Sequence, residues 1–316
     1  MKIVVLGGSG FIGKNLSEKL IEKQHEVIII DSYIDFNFFR NLGVPKDNLY
    51  QIDLLKIKKY SIDFLKNVDI IFHLVNFTTP FLDIEETKEA YKKDISVCID
   101  ILELSRKNNI KKIIFSSSGG TIYGNLDNTS DREEDITNPI SYYGISKLAV
   151  EKIILMYNQL YNMNNVILRI SNPYGKYQNS NKVGVISVIL RKILENKKIE
   201  IFGDGNNIRD YIYISDLVDV FCKVIDKDNY SYSIYNVGSG EGRSILDIIN
   251  TIKVITKKEF NVEFKENRKF DVKRNVLDIS RLKKEFNFIP KINLYEGIKL
   301  LYHYLKEFRK ENYEEK

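Results

Sequence analysis

The sequence predicts an α/β fold, in which a doubly wound parallel sheet is followed by a smaller carboxy-terminal α/β domain that holds a substrate. Three observations support this prediction. Short Val/Ile-rich runs alternate with helical patterns through the first half of the chain, as repeated β-α units require. These runs are apolar throughout, which is typical of parallel strands covered on both faces. A glycine-rich segment at residues 7–13 follows the first run directly.

The elements of the first half follow from these runs and from the helical period. Strands are predicted at residues 2–6, 26–30, 49–52, 70–75, 112–116 and 166–169. Helices are predicted at residues 11–23, 84–108 and 142–161. Right-handed connections between such strands produce the doubly wound arrangement.

Beyond Arg169 the alternation of strand and helix patterns becomes less regular. Helical patterns cover residues 185–195 and 215–225, and extended patterns cover residues 199–202, 210–214 and 233–237. The pattern from Ser244 onward is mixed and finishes in a charged helix that begins near Leu294. We therefore predict a first domain of residues 1–170 and a second of residues 171–316, with segments of the second returning to the first. The cleft between two such domains is the expected site.

Composition and charge exclude several classes of protein. With 316 residues, 43% hydrophobic and 29% charged, the chain can bury a full core and is neither disordered nor fibrous. Its net charge of +5 is spread along the chain, so no nucleic-acid partner is expected. There is no apolar run near 18 residues and no leader segment, which predicts a cytoplasmic protein without a membrane partner.

Cysteine and histidine usage does not favour a metal site. Cys98 and Cys222 are far apart, and His25, His73 and His303 occur singly, without the spacing of metal ligands. The two cysteines are interpreted as structural thiols in a reducing compartment. We interpret His73 as a buried structural histidine and expect no metal.

The glycine-rich segment indicates a phosphate-binding turn. Gly7, Gly10 and Gly13 recur at every third position between the first strand and the first helix. Glycine is required where the backbone approaches phosphate oxygens and where a helix and a strand pack closely. The unpaired N–H groups at the helix start, around Phe11 and Ile12, suit a pyrophosphate. These features predict a Rossmann-type dinucleotide site, with an ordinary strand-to-helix turn as the alternative.

Acidic residues after the next two strands bear on which dinucleotide is bound. Asp31 ends the second strand, where its carboxylate can accept both hydroxyls of the adenosine ribose and would repel a 2′-phosphate. NAD is therefore predicted rather than NADP, and a turn residue is the other interpretation of Asp31. Asp53 and Leu54 follow the third strand and are predicted to bracket the adenine, with a helix N-cap as the alternative for Asp53.

A Tyr-x-x-x-Lys pair, Tyr143 and Lys147, lies in the predicted helix at residues 142–161. Residues four apart share a helix face, so the Lys147 ammonium would stand beside the Tyr143 phenol and favour its phenolate. An unperturbed tyrosine has a pKa of about 10. Beside a cation and an oxidised nicotinamide it becomes a candidate general base near neutral pH. The alternative for the pair alone is an exposed helix edge.

Several further segments carry a family signature. The full set is residues 7–13, residues 115–124, the Tyr143/Lys147 pair, residues 169–175, residues 203–205 with 209–211, residues 235–238, and Arg268 with Asp271. On these segments the chain resembles the extended short-chain dehydrogenase/reductase family, in its nucleotide-sugar epimerase and dehydratase branch, and most of all the UDP-glucose 4-epimerases. The resemblance covers nearly the whole chain, and it implies NAD as cofactor and a homodimer.

The resemblance implies a role for each catalytic candidate. Tyr143 would take the proton from a sugar C4 hydroxyl while hydride leaves C4 for NAD, and Lys147 would hold the nicotinamide ribose. A hydroxyl after the fifth strand would bond O4 as charge develops there. Ser118 is the first choice for that hydroxyl. Because this chain carries one residue more than the family in that segment, Ser117 and Thr121 are alternatives, and capping of the turn is another.

Other positions match contacts with the substrate and the cofactor. Asn172, Arg209, Arg268 and Asp271 match positions that hold the nucleotide diphosphate and its uracil-ribose, and the arginine fork suits phosphate oxygens. Asn275, seven residues after Arg268, matches a position that borders the hexose.

The segments after the fourth strand and in the next helix partly depart from the family. Leu74 is expected to contact NAD, and Thr78, like Thr121, to contact the substrate. A lysine often found near Thr78 is missing, and Asp94 stands where asparagine is frequent.

The resemblance also narrows the reaction. Gly120 and Thr121 stand where 4,6-dehydratases carry an Asp-Glu pair and sugar-acid decarboxylases carry a glutamate. Without that acid and base, the implied chemistry is oxidation at C4 and hydride return to the opposite face. This is epimerisation of a nucleotide-diphosphate sugar, either UDP-glucose/UDP-galactose or the N-acetylated pair. The alternatives are a 4-ketosugar reductase and an NAD-binding regulatory protein of the same fold.

Overall fold

The computed structural model describes residues 1–60, 62–79, 84–126, 129–178, 183–266 and 271–310. The strands are β1 Lys2–Leu6, β2 Glu26–Asp31, β3 Leu49–Gln51, β4 Ile70–His73, β5 Lys112–Ser118, β6 Val166–Ile170, β7 Asn172–Tyr174, β8 Ile199–Phe202, β9 Ile208–Tyr213, β10 Ile234–Val237, β11 Gly242–Ser244, β12 Val262–Lys265 and β13 Arg274–Asn275. The α-helices are α1 Phe11–Glu22, α2 Phe36–Asn41, α3 Ile84–Lys107, α4 Gly119–Ile122, α5 Tyr142–Tyr161, α6 Val185–Leu194, α7 Ile214–Ile225, α8 Ile245–Thr256, α9 Ser280–Phe286 and α10 Leu294–Arg309.

The first half supplies six strands of a seven-stranded sheet, whose order, with β10 of the second half at one edge, is β10-β6-β5-β4-β1-β2-β3. Every pairing in it is parallel, which confirms the predicted doubly wound parallel sheet. From β1 the chain builds first toward β3 and then, from β4, toward the opposite edge. The carboxyl ends of β1 and β4 are therefore adjacent at the switch point, where open α/β sheets bind their ligands.

Apolar side chains cover both faces of this sheet. Along β1, Ile3 and Val5 pack on one face with Leu16 and Leu20 of α1. The alternate residues of the same strand face the other side, where α3 contributes Ile101. A strand buried on both faces needs a continuous apolar run, and for this reason the sequence pattern located these strands well.

The second half builds smaller sheets beside the large one. Strand β9 pairs with β7, β11 and β13, and β12 pairs with β8. Strand β10 returns to the large sheet next to β6. In these pairings Asn172 lies opposite Tyr211, and Asn275 lies opposite Arg209. Strand β9 thus gathers three of the residues predicted to bind substrate. The division of the chain at residue 170 stays a prediction.

None of the helices in the described ranges has the length and apolar character needed to cross a membrane.

Candidate functional site

The turn after β1 has a backbone geometry that requires glycine. Gly7 has φ +82°, which favours glycine, and its N–H donates to the Ile30 carbonyl at 2.8 Å. A Cβ on Gly13 would lie 2.6 Å from Gly8 Cα, so α1 packs against the turn at a distance that only glycine allows. Gly10 is the N-cap of α1 and makes no side-chain cap hydrogen bond.

The start of α1 therefore fits the pyrophosphate of a dinucleotide. The N–H groups of the first turn, at Phe11 and Ile12, have no side-chain cap to satisfy them, and the positive end of the helix dipole points at the same place. A diphosphate supplies the missing acceptors and the matching charge.

Asp31 lies beside this turn. Its Oδ2 accepts the Ser9 N–H at 3.0 Å, and its Oδ1 accepts the Ser32 hydroxyl at 3.4 Å. The carboxylate is partly exposed at the carboxyl end of β2. It therefore fits NAD and would oppose the extra phosphate of NADP.

Asp53 and Leu54 follow β3, and Leu74 follows β4, at the carboxyl ends of two strands of the large sheet. Asp53 Oδ1 accepts the Leu55 N–H at 3.1 Å and so caps the 3₁₀-helix Leu54–Lys59, as the alternative interpretation predicted. The Leu74 N–H bonds to the Leu6 carbonyl at 3.1 Å, which places Leu74 at the switch point. Contacts of these three residues with adenine or NAD stay predictions.

Tyr143 and Lys147 lie in the first turns of α5, facing the carboxyl end of β5. Lys147 Nζ donates to the Ser116 carbonyl at 2.8 Å and lies 4.8 Å from the centre of the Phe115 ring. Between the pair, a Cβ on Gly144 would lie 2.7 Å from the Thr121 carbonyl oxygen. The absent side chain lets α5 pack directly on α4.

Burial opposes ionisation of both groups. It raises the pKa of Tyr143 to about 12, which the Ser118 hydroxyl opposes and the Asp94 carboxylate reinforces. Burial also lowers the pKa of Lys147 to about 8, against the attraction of Asp94 and Glu151. Tyr143 would need additional positive charge nearby to work as a base at neutral pH, and an oxidised nicotinamide carries that charge.

The three candidate hydroxyls differ in availability. Ser117 Oγ donates to Glu151 at 2.6 Å, and Glu151 is paired with Arg169 at 2.9 Å. Ser117 is therefore part of a buried structural network. Ser118 interacts with Tyr143, and Thr121 Oγ1 is buried without a hydrogen-bond partner among the described residues. These observations support Ser118 or Thr121 for the contact with O4.

Asp94 stands where the family often carries asparagine, and its hydrogen bonds explain why a carboxylate suits this position. It is 5% exposed and accepts the Phe77 N–H at 2.7 Å, the Thr78 hydroxyl at 2.6 Å and the Ser146 hydroxyl at 2.7 Å. A carboxylate can accept all of these bonds, whereas an amide has one oxygen only. The segment after β4 is thus bound to α5, and the Thr78 hydroxyl is engaged within the protein.

His73 is buried, and its ring packs 5.3 Å from that of Phe115. Burial, with a smaller contribution from Lys147, lowers the pKa of His73 to about 3. The ring is therefore neutral at physiological pH, as expected for a structural histidine.

Arg209 is the described cation best placed for a diphosphate. It is half-buried on β9, and no carboxylate of the described residues lies within ion-pair distance of its guanidinium. Burial lowers its pKa, with Tyr211 and Asp271 opposing, and a bound anion would relieve that cost. Asn172 Nδ2 donates to the Asp210 carbonyl at 2.9 Å. Arg268 lies outside the described residues.

Among the buried carboxylates, Asp210 and Asp131 have no role in the interpretation of the sequence. Asp210 is fully buried and binds the loop after β10 by accepting the Ser239 N–H at 2.8 Å and the Gly240 N–H at 3.0 Å. Asp131 is 4% exposed and accepts a hydrogen bond from Asn275. An Asp inside an apolar strand was an available signal for Asp210. No local pattern marked Asp131.

The fold and the glycine-rich turn together define a dinucleotide-binding class of α/β protein. A family model described as the NAD dependent epimerase/dehydratase family matches residues 3–238. The chain belongs to this family, whose cofactor is NAD.

Individual relatives are similar over nearly their full length. A Methanocaldococcus jannaschii protein provisionally named UDP-glucose 4-epimerase is 35% identical, over 96% of this chain and 98% of its own. The dTDP-4-dehydro-6-deoxyglucose reductase of Escherichia coli is 33% identical, over 94% and 95%. The crystal structure of UDP-glucose 4-epimerase from Thermotoga maritima with UDP-glucose has a TM-score of 0.88 at 30% identity, over 98% and 99% of the two chains.

Proposed function

We propose that this protein is an NAD-dependent 4-epimerase of nucleotide-diphosphate sugars, acting on UDP-glucose/UDP-galactose or the N-acetylated pair. The observation that carries the proposal is the grouping of Tyr143, Lys147 and Ser118 at the end of β5, beside the switch point with the glycine turn. Relatives and a solved structure named UDP-glucose 4-epimerase support it.

The residues would divide the work as follows. Tyr143 takes the proton from the sugar C4 hydroxyl and returns it at the end of the reaction. Lys147 keeps a positive charge below the phenol and hydrogen-bonds the nicotinamide ribose. Ser118 donates to O4 while negative charge develops there. When bound, NAD supplies the hydride acceptor and donor at C4.

The substrate would lie along β9. Arg209 and Asn172 would bind the diphosphate, with Arg268 and Asp271 completing the contacts to phosphate and nucleoside. Asn275, opposite Arg209 in the pairing of β13 with β9, would border the sugar. Gly120 and Thr121 provide no acid and base for dehydration or decarboxylation, which supports epimerisation as the whole reaction.

A 4-ketosugar reductase is the second candidate, because one of the similar relatives is named a reductase of a dTDP-4-keto sugar. A reductase consumes one reduced cofactor per turnover, whereas an epimerase recycles its own. Asp31 disfavours NADPH, the usual source of exchangeable reducing equivalents.

The deciding experiment incubates the purified protein with UDP-glucose, UDP-N-acetylglucosamine and their uronic acids, and resolves the epimers by NMR. We expect epimer formation without net change in absorbance at 340 nm. Stoichiometric oxidation of added NADH or NADPH with a dTDP-4-keto sugar, and no epimer from any UDP-sugar, would instead identify the reductase. If the protein binds NAD but shows neither activity, the remaining alternative is an NAD-binding regulatory protein of the same fold.

A further inference from the structure

Asn275 on β13 is buried, and its side chain has one possible orientation. Its Nδ2 donates to the Gly119 carbonyl at 2.9 Å and to Asp131 Oδ2 at 2.7 Å. A backbone carbonyl has no proton to give, so the atom that faces it must be the amide nitrogen. The Oδ1 atom therefore points away from both partners.

Asn275 Oδ1 is an unused hydrogen-bond acceptor. No described residue donates to it, and Asn275 is 1% exposed. A buried acceptor without a donor is unfavourable and uncommon in folded proteins. A ligand with a suitably placed O–H or N–H would complete the missing bond.

The unused acceptor borders the candidate catalytic residues. A Cβ on Gly120 would lie 3.8 Å from Asn275 Oδ1 and 3.7 Å from Asn172 Nδ2, so these side chains face one common space. Gly120 lies between Ser118 and Thr121 in the chain. Through Gly120 the unused acceptor therefore lies close to the chain segment that carries the hydroxyls proposed to contact the sugar O4.

A carboxylate lies directly behind this acceptor. Burial raises the pKa of Asp131 to about 6, with the hydrogen bond from Asn275 opposing and Asp135 reinforcing the shift. Asp131 is therefore mainly ionised at pH 8. The neighbouring cation, Arg274, donates to the Thr129 carbonyl at 2.8 Å, so the Asp131 charge has no direct ion pair among the described residues.

We propose that Asn275 and Asp131 form an acceptor wall of the sugar pocket, which favours neutral sugars and disfavours uronic acids. The proposal rests on the proposed function. The wall presents an oxygen lone pair with a negative charge behind it. A sugar hydroxyl or an acetamido N–H gains a hydrogen bond there, whereas a carboxylate has no proton to donate and is repelled.

Epimerisation exposes both edges of the sugar to this wall. Hydride leaves one face of C4 and returns to the opposite face, so the keto sugar must turn over between the two transfers. Turning over exchanges the positions of the C3 and C5 edges. A C6 carboxylate therefore meets the wall in one of the two orientations, whichever way the substrate first binds.

The test compares kcat/KM for UDP-glucose and UDP-glucuronate in the NAD-loaded protein at pH 8. We expect a preference of about tenfold or more for UDP-glucose. In Asp131→Asn, the new amide oxygen still accepts from Asn275 Nδ2 but the charge is gone, so the preference should fall about tenfold. The control is Glu134→Gln. Glu134 lies on the same loop as Asp131, but its carboxylate pairs with Arg281 of α9, so its removal should leave the preference unchanged.

Equal efficiency on the two sugars in the native protein, or an unchanged preference in Asp131→Asn, overturns the proposal. A second step adds Asn275→Leu to Asp131→Asn, which removes the acceptor after the charge. We expect kcat/KM for UDP-glucose to fall about tenfold while the dissociation constant of UDP, which lacks the sugar, is unchanged. No loss on UDP-glucose would exclude the acceptor role.

If the protein epimerises none of the sugars, the proposed function is refuted, but the acceptor wall can still be tested by measuring binding. Dissociation constants measured by calorimetry then decide. Tighter binding of UDP-glucuronate relative to UDP-glucose in Asp131→Asn supports the wall, and an unchanged ratio overturns it.

Discussion

Lys147 Nζ lies 5.7 Å from the centre of the Tyr143 ring, one helical turn further along α5. The hydrogen bond from Lys147 to the Ser116 carbonyl fixes the ammonium in this position. Burial disfavours the charged form of each residue when it stands alone. An ammonium beside a phenolate relieves both costs, so the pair is suited to a proton transfer in which Tyr143 becomes transiently negative.

Tyr143→Phe should remove most of the turnover and leave NAD binding nearly intact, because the substitution deletes the base and keeps the ring. General acid–base groups contribute about 10² to 10⁴-fold in rate, and we expect a loss in kcat of that order. Steady-state rates and NAD titration by fluorescence measure the two effects. A near-native rate would refute the mechanism. Lys147→Ala should also weaken nicotinamide positioning, so its loss need not add to that of Tyr143→Phe.

Asp31→Ala should weaken NAD binding and relax discrimination against NADP, because both the ribose contact and the repulsion of a 2′-phosphate disappear. We expect about a tenfold change in the ratio of the two dissociation constants. Asp53→Ala is the control, because NAD and NADP carry the same adenine, so loss of the predicted adenine contact should weaken both alike and leave the ratio unchanged. Purification of the native protein with NADP bound would contradict this prediction.

Asn275→Tyr should suppress activity on UDP-N-acetylglucosamine more than activity on UDP-glucose. The side chain borders the space beside Gly120, and a larger group there leaves less room next to the sugar C2. We expect measurable native activity on both sugars. Equal losses in the variant, with an unchanged melting temperature, would remove Asn275 from the choice of sugar.

The raised pKa of Asp131 predicts a pH dependence of stability. The folded protein retains this proton up to about pH 6, whereas the unfolded chain loses it near the ordinary carboxyl pKa of about 3.9. The associated stability is therefore fully present below about pH 4 and is lost as the pH rises through 6. Asp131→Asn does not titrate. The difference in unfolding free energy, native minus variant, should fall between pH 4 and 6 in urea titrations, and a constant difference would contradict the shift.

Arg169→Met should destabilise the protein by about 3–5 kcal/mol, because it leaves the Glu151 carboxylate buried without its cation. Both side chains are nearly inaccessible, at 3% and 1% exposure. The double variant Arg169→Met with Glu151→Leu should recover much of the loss, since no unpaired charge remains. Urea midpoints compare the three proteins. A double variant as unstable as the single one would show that packing, and not charge, is decisive.

Part of this protein can be predicted from its sequence because the signals are local. Val/Ile runs mark the strands of the large sheet, and the spacing of Gly7, Gly10 and Gly13 marks the turn proposed to bind phosphate. The four-residue interval from Tyr143 to Lys147 places both residues on one helix face. The short strands β7, β11, β12 and β13 are not predicted. Strands β7, β11 and β13 have too few residues for a period of their own, and β12 exists through its pairing with β8, a strand distant in sequence.

The contacts of the residues proposed to surround the sugar were decided by tertiary structure. Asn275 meets Asp131 and Gly119 across 144 and 156 positions of chain, and this contact alone determines which end of its amide is free. Glu151 engages Ser117, which sequence could not separate from Ser118 as a candidate. A local pattern reports the face on which a side chain lies. Whether its polar atoms are free or already bonded depends on partners that only packing brings within hydrogen-bond distance.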